Sequence, residues 1–471
     1  MSDDTSHVIV IFPVLARPIV LLPNRGFHHG IRSRFRTLFA DGLPHLWQEW
    51  HARSPFMGTV TADDFFTGTA VGLAGGATAI MDFVVSSSKR PLLDAYRTWR
   101  DWASKSAADY GFHVAVTWWD ESVHSDMGQL VHEEGVNSFR HFMAYKNAIM
   151  ADDEVMVKSF SRAIELGAIP TVHAENGELV CNLQQRLFAA GIVGPEAHPV
   201  SRPPAVEAEA AQLAIAIAET VSVPLYIVRV SYAESAEAIP PARARGLRVY
   251  GEVLAGHLVV DESVYRNPNF VSAAAHIMSP PFRSAADQNS LRNGLRSGLL
   301  HTTSTDHCIF CALQKAMGES DFIEIPNGCG GIEERMAVIW DSGVNTGRLT
   351  PSEFVQITSA NAARIFNIHA RKGFIAAGAD ADIVVWDPNA AKTFSSRTLF
   401  SKGDFNIFDG RTVRGYPTHA IAGGRLAFAR GEPMAEQGRG NYVRRAPFSK
   451  MFKPTRLRNE LAVPRYVARS V

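Results

Sequence analysis

Polar side chains follow several apolar runs of the sequence, and their types could support hydrolysis at a bound metal ion. His173 comes directly after the apolar run at 169–172, and Asp306 with His307 closes a run that begins at 299. Histidine and aspartate at separate strand ends are ligand types that zinc uses in catalytic sites. The alternative for His173 alone is a histidine whose hydrogen bonds are satisfied in the core or at its rim.

Two arginines lie in apolar runs whose ends belong to the same ring, and their charge conflicts with a metal ion at the same place. Arg140 and Tyr145 belong to the run at 138–145, and Arg229 belongs to the run at 224–230. Two like unit charges about 4 Å apart repel each other by roughly 4 kcal/mol at an effective dielectric of 20. The residue types alone therefore predict a barrel hydrolase and leave its metal requirement open.

The elements that would position these side chains alternate between strands and helices. Residues 135–180 read as a strand, an amphipathic helix from Asp152 to Gly167, and a second strand. An additional strand, the first of the barrel, is placed near 43–51, where it would bring Glu49 and His51 to the same ring. The other predicted strands are 79–85, 112–117, 138–145, 169–173, 224–230, 247–253 and 299–306.

Repeated strand–helix units predict an α/β fold, a (β/α)8 TIM-like barrel with parallel strands and catalytic groups at their carboxyl ends. A doubly wound open sheet is the alternative, but no G-x-G-x-x-G follows an early strand. Helices are predicted over 205–220, 233–244, 332–341 and 351–366. The predicted domains are an atypical N-terminal segment at 1–54, the barrel at 55–367, a small β-sandwich domain at 368–430, and a C-terminal arm at 431–471.

The composition is that of an ordinary globular protein and excludes several kinds of partner. The 47 basic and 47 acidic residues balance, which predicts neither a nucleic-acid partner nor an anionic membrane surface. The 4 cysteines are too few for a disulfide scaffold, so a cytoplasmic location is expected. We interpret the pair Cys308 and Cys311 as structural thiols. The sequence has no apolar run long enough to span a membrane.

From about Pro55 to Phe448 the sequence closely resembles the dihydropyrimidinase and D-hydantoinase family of cyclic amidohydrolases. Bacterial dihydropyrimidinases are the members that it resembles most in HVAVTWWDESVH and FMAYKNAIMADDE. Further ordered matches are PFMGTVTADDF, VHAENGELV, SRPPAVEAEA, SPPFR, IPNGCGGIEER, TSANAARIFN and KGFIAAGADADIVVWDP.

The resemblance implies a fold, a reaction and partners. The fold is a (β/α)8 barrel with a β-sandwich built from both chain ends, usually in a homotetramer. The reaction is the ring-opening hydrolysis of 5,6-dihydropyrimidines or hydantoins to N-carbamoyl amino acids. The cofactor is zinc, normally two ions per subunit, and the partner is a small cyclic amide.

The resemblance also implies roles for individual residues. His173 falls on a zinc-binding histidine, and Asp306 falls on the aspartate that binds zinc and handles the proton. Tyr145 falls on the tyrosine that stabilises the oxyanion and contacts the substrate. Ser279 and Asn327 fall on positions whose backbone groups hold the ring.

Two positions depart from the family pattern. Arg140 stands where the bridging, carboxylated lysine belongs, and Arg229 stands where a further histidine ligand belongs. A guanidinium stays protonated, so it cannot form a carbamate, and it has no lone pair for zinc. A gap-free count places the family's first-strand ligand pair at Glu49 and His51. We therefore expect at most one zinc ion, or none, held by Glu49, His51, His173 and Asp306.

Three hypotheses follow from this combination. The chain is a working dihydropyrimidinase, or a non-catalytic member that serves as a scaffold or assembly subunit. The third hypothesis is a damaged copy, in which residues 1–54 come from another reading frame. We also expect Arg140 and Arg229 to pair with Asp306, Glu49 or Glu175, so that their charge replaces that of the metal.

Overall fold

The computed structural model describes residues 59–86, 90–369 and 371–448, together with two short strands, β1 (Val8–Val10) and β2 (Val20–Leu21). The barrel strand predicted near 43–51 lies outside the described residues, and so do Glu49 and His51. Their predicted roles therefore stay predictions.

A 7-stranded parallel sheet forms the curved wall of the barrel, and its strands follow one another in chain order. Almost every strand residue is buried, as expected where helices cover the outer face and side chains fill the interior. The α/β-barrel prediction is confirmed. The strands are β3 (Ala79–Val84), β4 (Asp109–Ala115), β5 (Ser138–Phe142), β6 (Ile169–His173), β7 (Leu225–Val228), β8 (Val249–Leu254) and β9 (Thr302–Ser304).

Three of the predicted strands were drawn too long at their carboxyl ends. Regular pairing stops before Tyr145, Arg229 and Asp306, which have φ values of 66°, 54° and 53°. A left-handed backbone cannot continue a β-strand, so each of these residues begins the loop that follows its strand.

Helices connect the strands and pack on the outside of the sheet. The predicted helix at 233–244 is in fact two helices, because Pro240 and Pro241 can only open a new helix. The longer α-helices are Phe65–Ala74, Leu92–Ala103, Glu121–His132, Asp153–Leu166, Gly177–Ala189, Pro204–Val221 and Ala285–Ser297. The shorter ones are Ala197–Ser201, Ala233–Glu237, Ile239–Ala244, Ala255–Val259, Phe270–Ala274, Ala312–Lys315, Arg335–Ile339, Pro351–Val355 and Asn361–Ile365.

A second, antiparallel sheet of 6 strands uses both ends of the chain, as the resemblance implies. Its order is β13-β12-β11-β10-β1-β2, and Ile9 of β1 lies opposite Trp386 of β10. Sequence reasoning missed β1 and β2 because runs of 3 and 2 residues are too short to show alternation. The later strands are β10 (Ile383–Thr393), β11 (Thr412–Ala422), β12 (Arg425–Ala429) and β13 (Glu432–Pro433).

The chain that follows this sheet returns to the amino ends of the barrel strands. The backbone of Tyr110 exchanges hydrogen bonds with Asn441 and Val443, at 2.9 and 2.7 Å. The backbone N–H of Arg445 donates to the Gly135 carbonyl at 2.8 Å. The described part of this segment therefore lies at the end of the barrel opposite to the strand ends that carry the site.

Candidate active site at the strand ends

The backbone of the site is held in an uncommon conformation. Of the 7 non-glycine residues with positive φ in the described chain, Tyr145, Arg229 and Asp306 all lie at barrel strand ends. Each such residue costs on the order of 1–3 kcal/mol and persists only where the surroundings fix it. Three residues with positive φ therefore lie on one rim. The fold is less stable for it, and the side chains of these residues are oriented towards the site.

Arg229 and Asp306 form a buried ion pair. The Arg229 Nη2 lies 2.6 Å from the Asp306 Oδ1, and the two side chains are 3% and 5% exposed. The Arg229 Nη1 also donates to the Ser279 carbonyl at 2.9 Å. The prediction that this arginine pairs with Asp306 is confirmed. The guanidinium thus joins the end of β9 to the loop that contains Ser279.

Arg140 lies inside the barrel on β5 and is fully buried. Its guanidinium carbon is 5.3 Å from the ring centroid of Phe83 and 5.0 Å from that of Phe142. These are cation–π distances, which partly offset the loss of hydration. Its charge also reaches the cluster, because it is one of the causes that lower the pKa of His173. Its pairing with a carboxylate stays a prediction.

His173 is engaged by a neighbouring carboxylate. Its Nε2 lies 2.7 Å from Glu175 Oε2, which also accepts from Arg202 Nη1 at 2.7 Å. Burial lowers the pKa of His173 to about 4, so the imidazole is neutral and donates from Nε2. Burial alone would raise the pKa of Glu175, but Arg202 and His173 outweigh it and hold that pKa below its usual value.

Tyr145 closes this part of the site. Its half-buried ring lies 5.5 Å from the His173 ring, and the Arg202 guanidinium lies 5.6 Å from the Tyr145 centroid. The structure thus brings Tyr145 and His173 together, and the roles predicted for them stay predictions. Sequence reasoning missed Arg202, although SRPP was among the motifs that carried the resemblance.

The two predicted ring-holding residues meet on adjacent loops. The Ser279 hydroxyl donates to Asn327 Oδ1 at 3.0 Å. The carbonyls on either side of Ser279 are also fixed, since Met278 accepts from His198 Nε2 at 2.7 Å and Pro280 accepts from His257 Nε2 at 3.1 Å. This side of the site is therefore held at three successive residues.

A buried lysine ties these two loops together. Lys315 Nζ donates to the carbonyls of Ile277, Pro326 and Gly328 at 3.0, 2.6 and 2.8 Å. These carbonyls flank Ser279 on one loop and Asn327 on the other. Burial lowers the pKa of Lys315 to about 8. Sequence reasoning missed it, because a single lysine in a helical stretch gives no signal of its own.

His307 supports the rim. Its Nε2 lies 3.1 Å from Asp63 Oδ2, and Asp63 also accepts from Ser401 Oγ and the Lys402 backbone N–H at 2.6 and 3.0 Å. The pair of His307 and Asp63 therefore connects the barrel to the segment between β10 and β11 of the second sheet.

The described residues do not fit a pair of zinc ions. Among the residues that the structure describes, no three His, Cys, Asp or Glu side chains form a group that could hold a metal ion. The Asp306 carboxylate faces Arg229, and His173 is hydrogen-bonded to Glu175. The guanidinium of Arg140 has no lone pair to offer. How much zinc the whole chain binds stays a prediction.

The fold and the rim together define a class, an α/β-barrel protein with titratable groups at the carboxyl ends of its strands, typical of barrel hydrolases. The model of the amidohydrolase family matches residues 143–426. The dihydropyrimidinase of Dictyostelium discoideum is 48% identical over 417 residues, which cover 87% of this chain and 83% of that protein. The dihydropyrimidinase of Rattus norvegicus is 44% identical, with 89% and 82% covered.

Solved structures agree with these relatives. A dihydropyrimidinase from Brevibacillus agri has a TM-score of 0.85 and 39% identity, with 88% of this chain and 89% of that chain covered. A D-hydantoinase has a TM-score of 0.84 and 37% identity, with the same coverage. This chain belongs to the amidohydrolase family, within the group of dihydropyrimidinases and D-hydantoinases. In the described part of the chain, no helix is both long and apolar enough to cross a membrane.

Proposed function

We propose that this chain is a cyclic-amide amidohydrolase that opens 5,6-dihydropyrimidines or hydantoins far more slowly than its relatives do. The observation that carries this proposal is the 2.6 Å contact between Arg229 and Asp306. It holds the carboxylate that the resemblance assigns to proton transfer in a buried ion pair.

The substrate class is supported by the family and by the ring-holding loops. Relatives named dihydropyrimidinase and solved structures named D-hydantoinase share most of this chain's length. Ser279 and Asn327 are hydrogen-bonded to each other, and Lys315 fixes both of their loops. A cyclic amide with adjacent N–H and C=O groups matches backbone donors and acceptors presented in this way.

The low rate is supported by the two arginines. A base must be able to accept a proton, and a bound guanidinium stabilises the ionised carboxylate of Asp306 and so weakens its basicity. Arg140 adds a second fixed charge in the barrel, at the position of the family's carboxylated lysine. We also propose, from the resemblance, that zinc is the metal, with at most one ion held, and that the chain forms a cytoplasmic homotetramer.

The test is to restore the family's side chains and measure turnover. The double variant Arg140→Lys/Arg229→His should hydrolyse 5,6-dihydrouracil at least about 100-fold faster than the natural chain, since even outer partners of such sites are worth about 10–100-fold. Adding Asp306→Asn to the double variant is the matched control and should remove the gain. Turnover by the natural chain equal to that of the double variant would contradict the proposal.

A second candidate is a non-catalytic scaffold or assembly subunit. A relative from Mus musculus, named dihydropyrimidinase-related protein 5, is 39% identical over 83% of this chain and 70% of that protein. Its name relates it to the enzyme without giving it the activity. The scaffold candidate predicts a well-folded oligomer in which the double variant gains no turnover, which light scattering and the same assay would detect.

A further inference from the structure

We infer that Glu334 keeps its proton at neutral pH and that this proton holds the segment 394–411 closed on the barrel, so that the segment opens more readily as the pH rises. The segment connects β10 to β11 of the second sheet. This contact is separate from the proposed reaction, because the resemblance assigns Glu334 to neither the metal nor the substrate.

Three carboxyl groups on the barrel side hold this segment, those of Asp63, Glu333 and Glu334. Glu333 Oε2 accepts from the Phe400 backbone N–H at 3.0 Å, and Glu334 Oε1 accepts from Asn406 Nδ2 at 2.6 Å. Asp63 accepts from the same segment at the rim. The position of the segment therefore depends on the charge of these three groups.

The three carboxyl groups differ in the partners that can balance their charge. Lys392 Nζ donates to Glu333 Oε1 at 2.7 Å, and His307 Nε2 lies 3.1 Å from Asp63 Oδ2. Glu334 is bonded instead to a neutral side-chain amide. Because a buried carboxylate needs a partner of opposite charge, Glu334 is neutralised by a proton and not by a cation.

Burial makes this proton hard to lose while the segment is closed. Glu333 and Glu334 are only 1% and 3% exposed. Burial first, and then the charge of Glu333, raises the pKa of Glu334 to about 8. The adjoining cavity, which His307, Ser401 and Asn406 help to line, has a volume of about 10 Å³. That volume holds about one water molecule, so a hydrated counter-ion does not fit beside the carboxyl group.

The surrounding elements supply no further cation to Glu334 within the described chain. The titratable side chains that face it come from its own turn, from the loop after β9 and from two strands of the second sheet; they are Glu333, His307, Lys392 and Tyr416. Arg335, the next residue, donates to the Thr303 carbonyl at 2.7 Å. Lys402 and Asp404 of the segment itself are exposed.

The direction of the pH effect follows from the difference between the two states. In the open state Glu334 meets water, and its pKa returns towards the ordinary 4.5. Between about pH 4.5 and pH 8 the closed state therefore binds more protons than the open state, and the equilibrium constant for opening rises by up to about tenfold per pH unit. Because Asp63 is bonded both to the segment and to His307, opening also loosens the rim beside Asp306.

The test is hydrogen–deuterium exchange of peptides that cover 394–411, measured by mass spectrometry at pH 6 and pH 8. Exchange rates would be corrected for the intrinsic effect of pH on amide exchange. The equilibrium constant for opening this segment in the natural chain should be at least about tenfold larger at pH 8 than at pH 6.

Glu334→Gln removes the titrating carboxyl group and keeps an acceptor for Asn406 Nδ2. In this variant the opening constant should be the same at both pH values. Glu319→Gln, which removes an exposed carboxyl group, is the matched control and should keep the rise of the natural chain. An equal rise in Glu334→Gln would overturn the inference. The absence of a rise in the natural chain would also overturn it, whether or not the variant folds.

Discussion

The site has two halves that differ in how their polar groups are satisfied. On the half formed by Ser279 and Asn327, a lysine and two histidines fix successive backbone carbonyls. On the half formed by the ends of β5, β7 and β9, Arg140 and Arg229 stand at two positions to which the resemblance assigns metal ligands, and Arg229 is paired with Asp306.

The difference indicates which function each half still supports. The backbone carbonyls of the ring-holding half are fixed by Lys315, His198 and His257, which are donors other than the two strand-end arginines. The strand-end half has Arg140 and Arg229, and under the proposed function these two arginines lower the turnover of the chain.

Breaking the ion pair should have the largest effect on stability. Asp306→Asn leaves the Arg229 charge buried without its carboxylate, and such a loss costs about 3–5 kcal/mol of unfolding free energy. Urea unfolding of the natural chain and the variant would measure it. Asp94→Asn, which removes an exposed partner of Arg97, should change stability by less than about 1 kcal/mol. If Asp306→Asn also lowers the unfolding free energy by less than about 1 kcal/mol, the ion pair between Arg229 and Asp306 does not stabilise the fold.

Replacing Lys315 should lower the unfolding free energy by an amount similar to, or slightly smaller than, that of Asp306→Asn. Lys315 belongs to the half formed by Ser279 and Asn327. Lys315→Met leaves three buried carbonyls without their donor, at about 1 kcal/mol or more each, which gives a loss of about 3 kcal/mol. The same unfolding assay applies, with Lys158→Met as the exposed control. An equal change in unfolding free energy for Lys315→Met and Lys158→Met would show that Lys315 does not hold the loops of Ser279 and Asn327 in place.

Mild acid should destabilise the ring-holding half. Burial lowers the pKa of His198 to about 3 and that of His257 to about 4, below the 6.5 of the unfolded chain. The unfolded chain therefore binds more protons, and stability falls as the pH drops from about 6.5 towards 4, by on the order of 2 kcal/mol per histidine at pH 5. Unfolding at pH 7 and pH 5 would measure the loss. Equal unfolding free energies at pH 7 and pH 5 would contradict the stated effect of burial on these histidines.

The barrel and the rim could be predicted from the sequence because both follow local rules. Buried parallel strands are apolar runs, and the polar residues that end them, such as His173 and Asp306, must meet at one rim. Charge predicts that Arg229 pairs with Asp306, Glu49 or Glu175, and the structure shows the pair with Asp306. The positive φ of Tyr145, Arg229 and Asp306 could not be foreseen, since none of these three residues is a glycine or an asparagine.

The remaining features depend on contacts between residues far apart in the sequence. Arg202 reaches Glu175 across 27 positions, and Lys315 reaches the Ile277 carbonyl across 38. Strand β1 is defined by its pairing with β10, and β2 by its pairing with β1, rather than by any periodicity of their own. Such partners become visible only when the chain is folded.

The proposed function is tested most directly by the zinc content of the purified natural chain, measured by elemental analysis on the same sample that is assayed with 5,6-dihydrouracil. We expect at most about one zinc ion per chain and turnover far below that of the Arg140→Lys/Arg229→His variant. About two zinc ions per chain with rapid turnover would contradict it. That result would mean that the side chain of Arg140 or Arg229 moves away and leaves room for zinc to bind at the strand ends.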